Sequence, residues 1–578
     1  MSRETTAVPH EVRLIHSHWE ADNSAALLEV SFGDMLRRLA AEVPERIGFV
    51  EAPLPPLPTR RWTYAQLLEM GERSARALLR HFRPGDRVAV WAPSCAEWVL
   101  LQHAAALAGL VLVTVNPAYL GEEVHHVLSS AGAVGVFHAP SYRGVDMAEI
   151  IGRLRPRLPA LRESFDLSRW NEFSATTDPS LALPQVSPLD VIQIQFTSGT
   201  TGKPKGARLH HLGLINTSRF AAQRAGFPDG GVWATAMPLF HVGGSAGSHY
   251  GTLSSRGTFV LQPNFDAGDM LRIVEEEKVQ HLHGVPTMVV RMLEHPDRPQ
   301  RDLRSLRTIM SGGSLVPEWL VRRSREELGC RFTINYGQTE LNGVVCQTSP
   351  DDSVARQTTS IGQPSPRAEL KIADPDTGAV RPLNEPGEIW VRGYQVMHGY
   401  YNLPEGADTA MTEDGWLRTG DIAAMDAEGY LRITGRLKDC IIRGGENIYP
   451  REIEDVLHAH PAVHEVHVVG APDAQWGEVV AAVIRLHPDI DAPDAAELYK
   501  YCRERLAGYK APVRWYYVEA FPATSSGKVQ KFALRRMIAE GQLEAQPFVK
   551  PERERAPATS RPTQVANAPT AAPPTRSR

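Results

Sequence analysis

A chain of 578 residues is too long for one hydrophobic core, so two or more domains are expected. Hydrophobic residues at 42% and charged residues at 22% are ordinary for a globular protein. A net charge of -5 without a concentrated basic face argues against nucleic acid as a partner.

Residues 71–81 carry a helical pattern that Pro84 and Gly85 stop, and RVAVW (87–91) reads as a buried strand. Residues 98–115 (WVLLQHAAALAGLVLVTV) approach the length of a membrane span. Gln102 and His103 interrupt them, Gly109 divides an Ala/Leu-rich half from a Val-rich half, and Asn116-Pro117 ends them. The expectation is a buried helix turning into a buried strand, with no transmembrane segment. Helix and strand alternate through VGVFH (134–138), which predicts α/β layers over a largely parallel sheet. Residues 176–190 are polar and read as a connector. From Gly362 the short runs AELKIAD, GEIWVRG and GYLRITG, with Asp-Gly and Pro-Gly turn signals, predict a small all-β portion. After Arg436, α and β patterns return in a segment of domain size that ends near Gln546. The remaining Ala, Pro, Thr, Arg and Gln-rich residues lack the apolar content to offset chain entropy, so disorder is expected. The opening MSRETTAVPHEVRLIH has no basic stretch leading into an apolar one, so no secretory signal is expected. Cys95, Cys330, Cys346, Cys440 and Cys502 are scattered without C-x-x-C spacing, which argues against a disulfide framework and fits the reducing cytoplasm.

The most informative segment is QIQFTSGTTGKPKG (193–206). An alternating strand runs into Thr197, Ser198, Gly199, Thr200, Thr201, Gly202, Lys203, Pro204, Lys205 and Gly206. Glycines let a backbone fold tightly and present N–H groups to an anion; the hydroxyls add donors and the lysines add charge. Such a loop suits the β- and γ-phosphates of a nucleotide. It is not a Walker A loop: Gly199 stands only three residues before Gly202, and Lys203 is followed by Pro204 rather than Ser or Thr.

Further motifs follow in order: PLFHVGG (238–244), SGGSLVP (311–317), NYGQTE (335–340), GWLRTGDIA (415–423), GRLKDCIIRGGENIYPREIE (435–454) and PATSSGKVQK (522–531). With the glycine-rich loop they resemble the adenylate-forming superfamily of acyl-CoA synthetases, luciferases and peptide-synthetase adenylation domains. The resemblance covers about residues 30–540. It is nearest to medium- and long-chain fatty acyl-CoA synthetases, through NPAYLGEEV, IQFTSGTTGKPKGA and IIRGGENIYP. It implies a multidomain α/β fold: a large N-terminal domain (31–437) of two α/β layered subdomains plus a small β-barrel, and a small mobile α+β C-terminal domain (438–545). Residues 1–30 would be an N-terminal extension and 546–578 a tail.

The resemblance also implies roles. Asn335, Tyr336, Gly337 and the Gly312-Gly313-Ser314 turn would surround adenine, with Tyr336 offering a flat face. Glu340 would hold Mg2+, helped by Thr200. Asp421 would accept hydrogen bonds from the ribose hydroxyls, and Arg436 would contact ribose or phosphate. Lys528 would be the catalytic lysine that reaches the α-phosphate and the acid's carboxylate. Lys438 marks the hinge about which the C-terminal domain turns, bringing Gly444 and Gly445 to coenzyme A. Phe240 and His241 would gate the acyl pocket, and Gly243, Gly244 and Ser245 would leave room in it. Taken singly, Tyr336 could be core, Glu340 a helix-start charge, Asp421 a turn residue and Lys528 an exposed turn lysine.

The reaction implied is ATP-dependent conversion of a small-molecule acid to acyl-AMP, then transfer to coenzyme A. No charged residue in 241–250, 283–287 or 311–315 marks an amino-acid substrate, which leaves fatty, alicyclic or aryl acids. Gln338, Leu341 and Asn342 depart from the fatty-acid relatives around YGxTE, which places a change in the pocket. A specialised ligase passing an unusual acid to a carrier-protein thiol or an amine would keep the same ATP motifs. Gly243 to Gly247 also match the G-x-S-x-G elbow of serine hydrolases, and a simple ATP-binding module is a third class. His458, His460, His464 and His467 lack firm metal-ligand spacing.

Overall fold

The computed structural model describes residues 13–23, 25–197, 204–314, 316–403, 410–444, 446–488, 490–523 and 529–549. Two large sheets dominate the first two thirds. One has six strands in the order Lys205–His210, Val191–Thr197, Val111–Val115, Arg87–Trp91, Gly135–His138, Glu163–Asp166. All its pairs are parallel except that between Lys205–His210 and Val191–Thr197. The other has nine strands, and six of them, from Arg331–Gln338 through Thr308–Gly312, His281–His283, Val232–Thr235 and Thr258–Leu261 to Ile47–Glu51, run parallel. Parallel strands buried on both faces read as continuous apolar runs, and Val111–Val115 (VLVTV) is buried throughout.

The stretch at 98–115 behaves as expected. Ala96–Leu107 is a helix buried on all sides, and Val111–Val115 is the adjoining strand. No helix among the described residues is long and apolar enough to cross a membrane. The helix expected at 71–81 starts earlier, at Tyr64–Leu79. Thr63 Oγ1 accepts from Gln66 N at 3.2 Å while Gln66 Oε1 accepts from Thr63 N at 2.9 Å. This capping box satisfies two end donors and moves the start forward.

The all-β portion is a five-stranded antiparallel sheet: His18–Trp19, Glu369–Ala373, Gly387–Arg392, Leu417–Met425, Leu431–Arg436. The barrel expected there is instead an open sheet among the described residues: its edge strands His18–Trp19 and Leu431–Arg436 do not pair, and only single contacts run from the segment around the first edge to the turn between the last two strands. Leu14 N donates to Ala427 O at 2.8 Å, and the Trp19 ring fills the space beside Gly429. A separate mixed sheet follows, with Glu446–Ile448, Ile441–Arg443, Gly477–Leu486 and Val463–Asp473 in order and Arg514–Tyr517 parallel to Gly477–Leu486. Helices Pro450–His458 and Ala495–Arg503 cover one face, and Lys531–Ala539 covers the other.

Histidines lie deep in the two large sheets and in the helices packed on them. His103, His211, His249, His281 and His283 are buried, and burial pushes each ring's pKa down, to about 3 for His211 and His249 and about 4 for His281 and His283. His210 is pushed to about 4 by the same cause. The rings pushed to about 3 or 4 are therefore neutral in the folded protein above pH 5, while their unfolded counterparts protonate near 6.5. The folded state then holds fewer protons, so stability is full above pH 6.5 and is lost as pH falls towards 4. Each ring contributes up to about 1.4 kcal/mol per pH unit. Urea midpoints measured from pH 8 to 5 are expected to stay flat above pH 7 and drop steeply below 6.5.

Candidate functional site

Three strand ends meet at one place. Val191–Thr197, Thr308–Gly312 and Arg331–Gln338 all finish here at their carboxyl ends, the edge where open α/β sheets bind ligands. Thr197 is the last described residue before the glycine-rich loop. Its Oγ1 donates to Glu340 Oε1 at 3.1 Å. The same oxygen accepts the Tyr400 hydroxyl at 2.7 Å. Tyr400 reaches it because residues 399–401 lie along the strand after the loop: Ala207 bridges Tyr400, and Tyr401 N donates to Gly206 O at 2.7 Å. The Lys205 amine lies 5.2 Å from the Tyr400 ring centroid, a cation–π distance. Lys205 and Glu340 thus flank one phenol, with positive and negative charge on the rim of the loop.

Asp421 forms a second node. Its Oδ2 accepts from Tyr336 Oη at 2.8 Å and Gln338 Nε2 at 2.6 Å, and its Oδ1 pairs with Arg436 Nε at 2.8 Å. Asp421 is 4% exposed, so these donors offset the cost of burying its charge. Burial and the neighbouring Asp421 carboxylate push the Tyr336 phenol well above its usual pKa, so it remains a donor. Asp421 in turn favours the charged form of Arg436. Three donors on about four acceptor sites leave this carboxylate one open direction, on Oδ1, among the described residues.

The SGG turn sits beside these nodes. Gly313 has φ +76°, and Gly313 and Ser314 are exposed. A Cβ on Gly312 would lie 2.0 Å from Asn335 Oδ1 and 2.3 Å from Asn335 O, so only glycine lets the two strands close there. A Cβ on Gly337 would meet Gly343 O at 2.0 Å, so that glycine serves strand crossing. His126 hydrogen-bonds Pro204 O at 2.9 Å and anchors the far side of the loop.

Other expected residues sit elsewhere. Ser198, Gly199, Thr200, Thr201, Gly202, Lys203, Gly445 and Lys528 lie outside the described residues. Gly444 has φ +60° and packs under Trp476, while Arg443 stacks on that ring at 4.9 Å and donates to Tyr509 O at 3.2 Å. This turn is held by its own C-terminal sheet. Lys438 is exposed in the turn Leu437–Asp439, and its carbonyl accepts from Arg535 Nη1 at 3.3 Å.

The pocket segment needs four corrections. Gly243–Ser248 is a π-helical turn, and within it Gly244 leaves no room: its Cβ would meet Pro238 O at 2.4 Å. Ser245 is fully buried, donating to His241 O at 3.1 Å and accepting from Gln195 Nε2 at 3.1 Å. A serine held in this way is no exposed hydrolase elbow. His249 and Tyr250 face the core, against His103 and Gln102. Leu341 is core, and Asn342, at φ +53°, binds His210 N, Gln395 O and Thr217 Oγ1. The departure at Leu341 and Asn342 is therefore one of packing. Gln338, by contrast, belongs to the Asp421 node. His241 is part-exposed, with its ring 4.3 Å from Phe240.

Residues 36–401 match the AMP-binding enzyme family, and 452–528 match the AMP-binding enzyme C-terminal domain. The chain belongs to the AMP-binding enzymes. Among its relatives, mitochondrial medium-chain acyl-CoA ligase ACSF2 of Rattus norvegicus is 35% identical over 558 residues, covering 91% of this chain and 90% of the rat protein. The structure of ATP-bound MatB from Rhodopseudomonas palustris aligns with a TM-score of 0.79 at 28% identity, over 87% of this chain and 98% of that one. That of o-succinylbenzoate CoA synthetase MenE of Bacillus subtilis with its acyl-adenylate aligns at 0.74 and 31% identity, over 88% and 99%. The AMP-binding architecture, a large α/β N-terminal domain and a smaller C-terminal one, is the one described above.

Tyr400 was not among the expected site residues of this AMP-binding enzyme. No spacing marks it, because its role depends on strand Lys205–His210 carrying a distant segment alongside. Gly312→Ala is expected to cost about 1–3 kcal/mol or more by overpacking against Asn335 backbone. Gly121→Ala, with nothing within 4 Å of its Cβ, should leave the thermal midpoint within a degree or so.

Proposed function

We propose that this chain activates an uncharged-tail carboxylic acid of medium length as its acyl-AMP and transfers the acyl group to coenzyme A. The class is that of an AMP-forming acid–thiol ligase, using ATP, Mg2+ and coenzyme A. The observation that carries the reading is the convergence of Thr197 and Tyr400 on Glu340 at the foot of the glycine-rich loop.

The chemistry needs an oxygen of the acid to attack the α-phosphorus of ATP, with pyrophosphate leaving. Both reactants are negative, so repulsion must be offset where it develops. Lys205 stands at the loop, and Lys203 and Lys528 add charge if they take the roles the resemblance gives them. Glu340 offers hard oxygen: both hydroxyl donors use Oε1, so the set fits a Mg2+ site, with Thr200 as second holder. Bound there, Mg2+ supplies neutralisation of the phosphate charge. Tyr336, Asn335 and the Gly313-Ser314 turn line the place for adenine, and Asp421 with Arg436 faces the ribose. In the second step the coenzyme A sulfur attacks the acyl carbon and AMP leaves. The two steps ask opposite things of one site, so the C-terminal domain turns about Lys438, withdrawing Lys528 and presenting Gly444 and Gly445. Five free cysteines fit a reducing compartment, and we assign the cytoplasm.

Lys528→Ala should lower ATP-dependent acyl-AMP formation by about 100-fold or more while sparing thioester formation from supplied acyl-AMP. Equal loss in both half-reactions would remove Lys528 from this role. Pyrophosphate release should appear with octanoate or decanoate and yield acyl-CoA only when coenzyme A is added. Release with aryl acids alone, or acyl transfer only to a carrier protein or an amine, would replace the acid or acceptor proposed here.

A further inference from the structure

The π-helical turn Gly243–Ser248 has two serines facing different sheets. Ser245 binds Gln195, on the six-stranded sheet. Ser248 binds His283, on the nine-stranded one, with Oγ 2.7 Å from Nδ1. π-turns concentrate at functional sites because the extra residue re-aims side chains.

His283 is locked. Thr235 Oγ1 donates to its carbonyl at 2.9 Å, Gly284 N donates to Met310 O at 3.2 Å, and Ser248 fixes the ring through Nδ1. Burial pushes its pKa down to about 4, so the ring is neutral at working pH. Nε2 has no hydrogen-bond partner among the described residues. It is also not a sealed atom, unlike Nδ1 of His103 and of His249. The ring's Cε1 edge faces Gly243: a Cβ there would stand 3.6 Å from Cε1 and 3.5 Å from Met237 Cε, so the glycine leaves that side open. Gly243, Met237 and His241, on that side, are all part-exposed. His283 is level with Met310, two residues before Gly312 on the neighbouring strand, or about 7 Å below the SGG turn at 3.3 Å per residue.

We propose that His283 Nε2 hydrogen-bonds a hydroxyl group on the acid, making the substrate a hydroxylated carboxylic acid. The proposal rests on the acid-activating reading and narrows its substrate class. An all-hydrocarbon tail would strip water from Nε2 and give nothing back, whereas a hydroxyl both donates and accepts and so serves either ring tautomer. An ammonium group would bring an unpaired charge into a site whose histidine is neutral. Sites built to bond a substrate hydroxyl reject the analogue lacking it far more strongly than apolar pockets reject a missing methylene.

The test uses the full chain with ATP, Mg2+ and coenzyme A, reading pyrophosphate release for matched pairs. These are hydroxyalkanoates of four to ten carbons with their unsubstituted counterparts, and hydroxybenzoates with benzoate. At least one hydroxylated member is expected to exceed its partner by about 10-fold or more in kcat/KM. His283→Leu should erase that ratio, and Ser248→Ala should reduce it. His283→Gln, which keeps a donor and an acceptor, should retain part of it. The ratio within one variant cancels any loss of folded protein. Equal rates for every pair in the parent enzyme, or an equal fall for both members in His283→Leu, would overturn the proposal. No release with any acid would instead sink the ligase reading itself.

Discussion

One carboxylate oxygen gathers the site. Glu340 Oε1 takes hydroxyl protons from Thr197, at the end of the six-stranded sheet, and from Tyr400, in the segment that leaves the five-stranded sheet. Glu340 itself follows directly from the nine-stranded sheet. Three separately folded layers are therefore registered on a single charged acceptor. Hydrogen bonds to a charged group contribute about 1.5–3 kcal/mol each, against the large apolar cores buried beneath them. Glu340 cannot hold the layers together by energy. Its place is set by the cores beneath it, and its contribution is position. The Asp421 node works the same way one step further out, tying Tyr336 and Gln338 of the nine-stranded sheet to a strand of the five-stranded one. There the cost of burying the charge is larger, and Arg436 offsets it.

Much of this was legible in the residue order. Local pattern was enough for RVAVW, for the buried helix and strand at 98–115, and for the strand that runs into the glycine-rich loop, because each carries its own period and punctuation. The shift to short antiparallel strands after Gly362 was marked by turn chemistry. What escaped was whatever depends on two distant segments lying side by side. Tyr400 is an ordinary aromatic until strand Lys205–His210 places Ala207 against it. Asn342 looked like a pocket change but is a left-handed turn residue wired to three partners. Gly244 looked like room for substrate but is pressed against Pro238 O. In each case the residue type was read correctly and its neighbour was not available from spacing.

The π-turn shows how packing and selectivity come to share residues. Its buried end, from Gly244 to Ser248, is committed to joining the two large sheets through Gln195 and His283. Its part-exposed end is Gly243, where a Cβ would meet only ordinary contacts at 3.5 Å and beyond. A change at Gly244 must move backbone, since the obstructing atoms are carbonyl oxygens of Met237 and Pro238. A change at Gly243 alters the space between His283 and Met237. The ring proposed to meet the acid is held by the same serine that joins the turn to the nine-stranded sheet. Loosening that serine to widen the pocket would also free the histidine, so the wall keeps its polarity for as long as the two sheets keep their join.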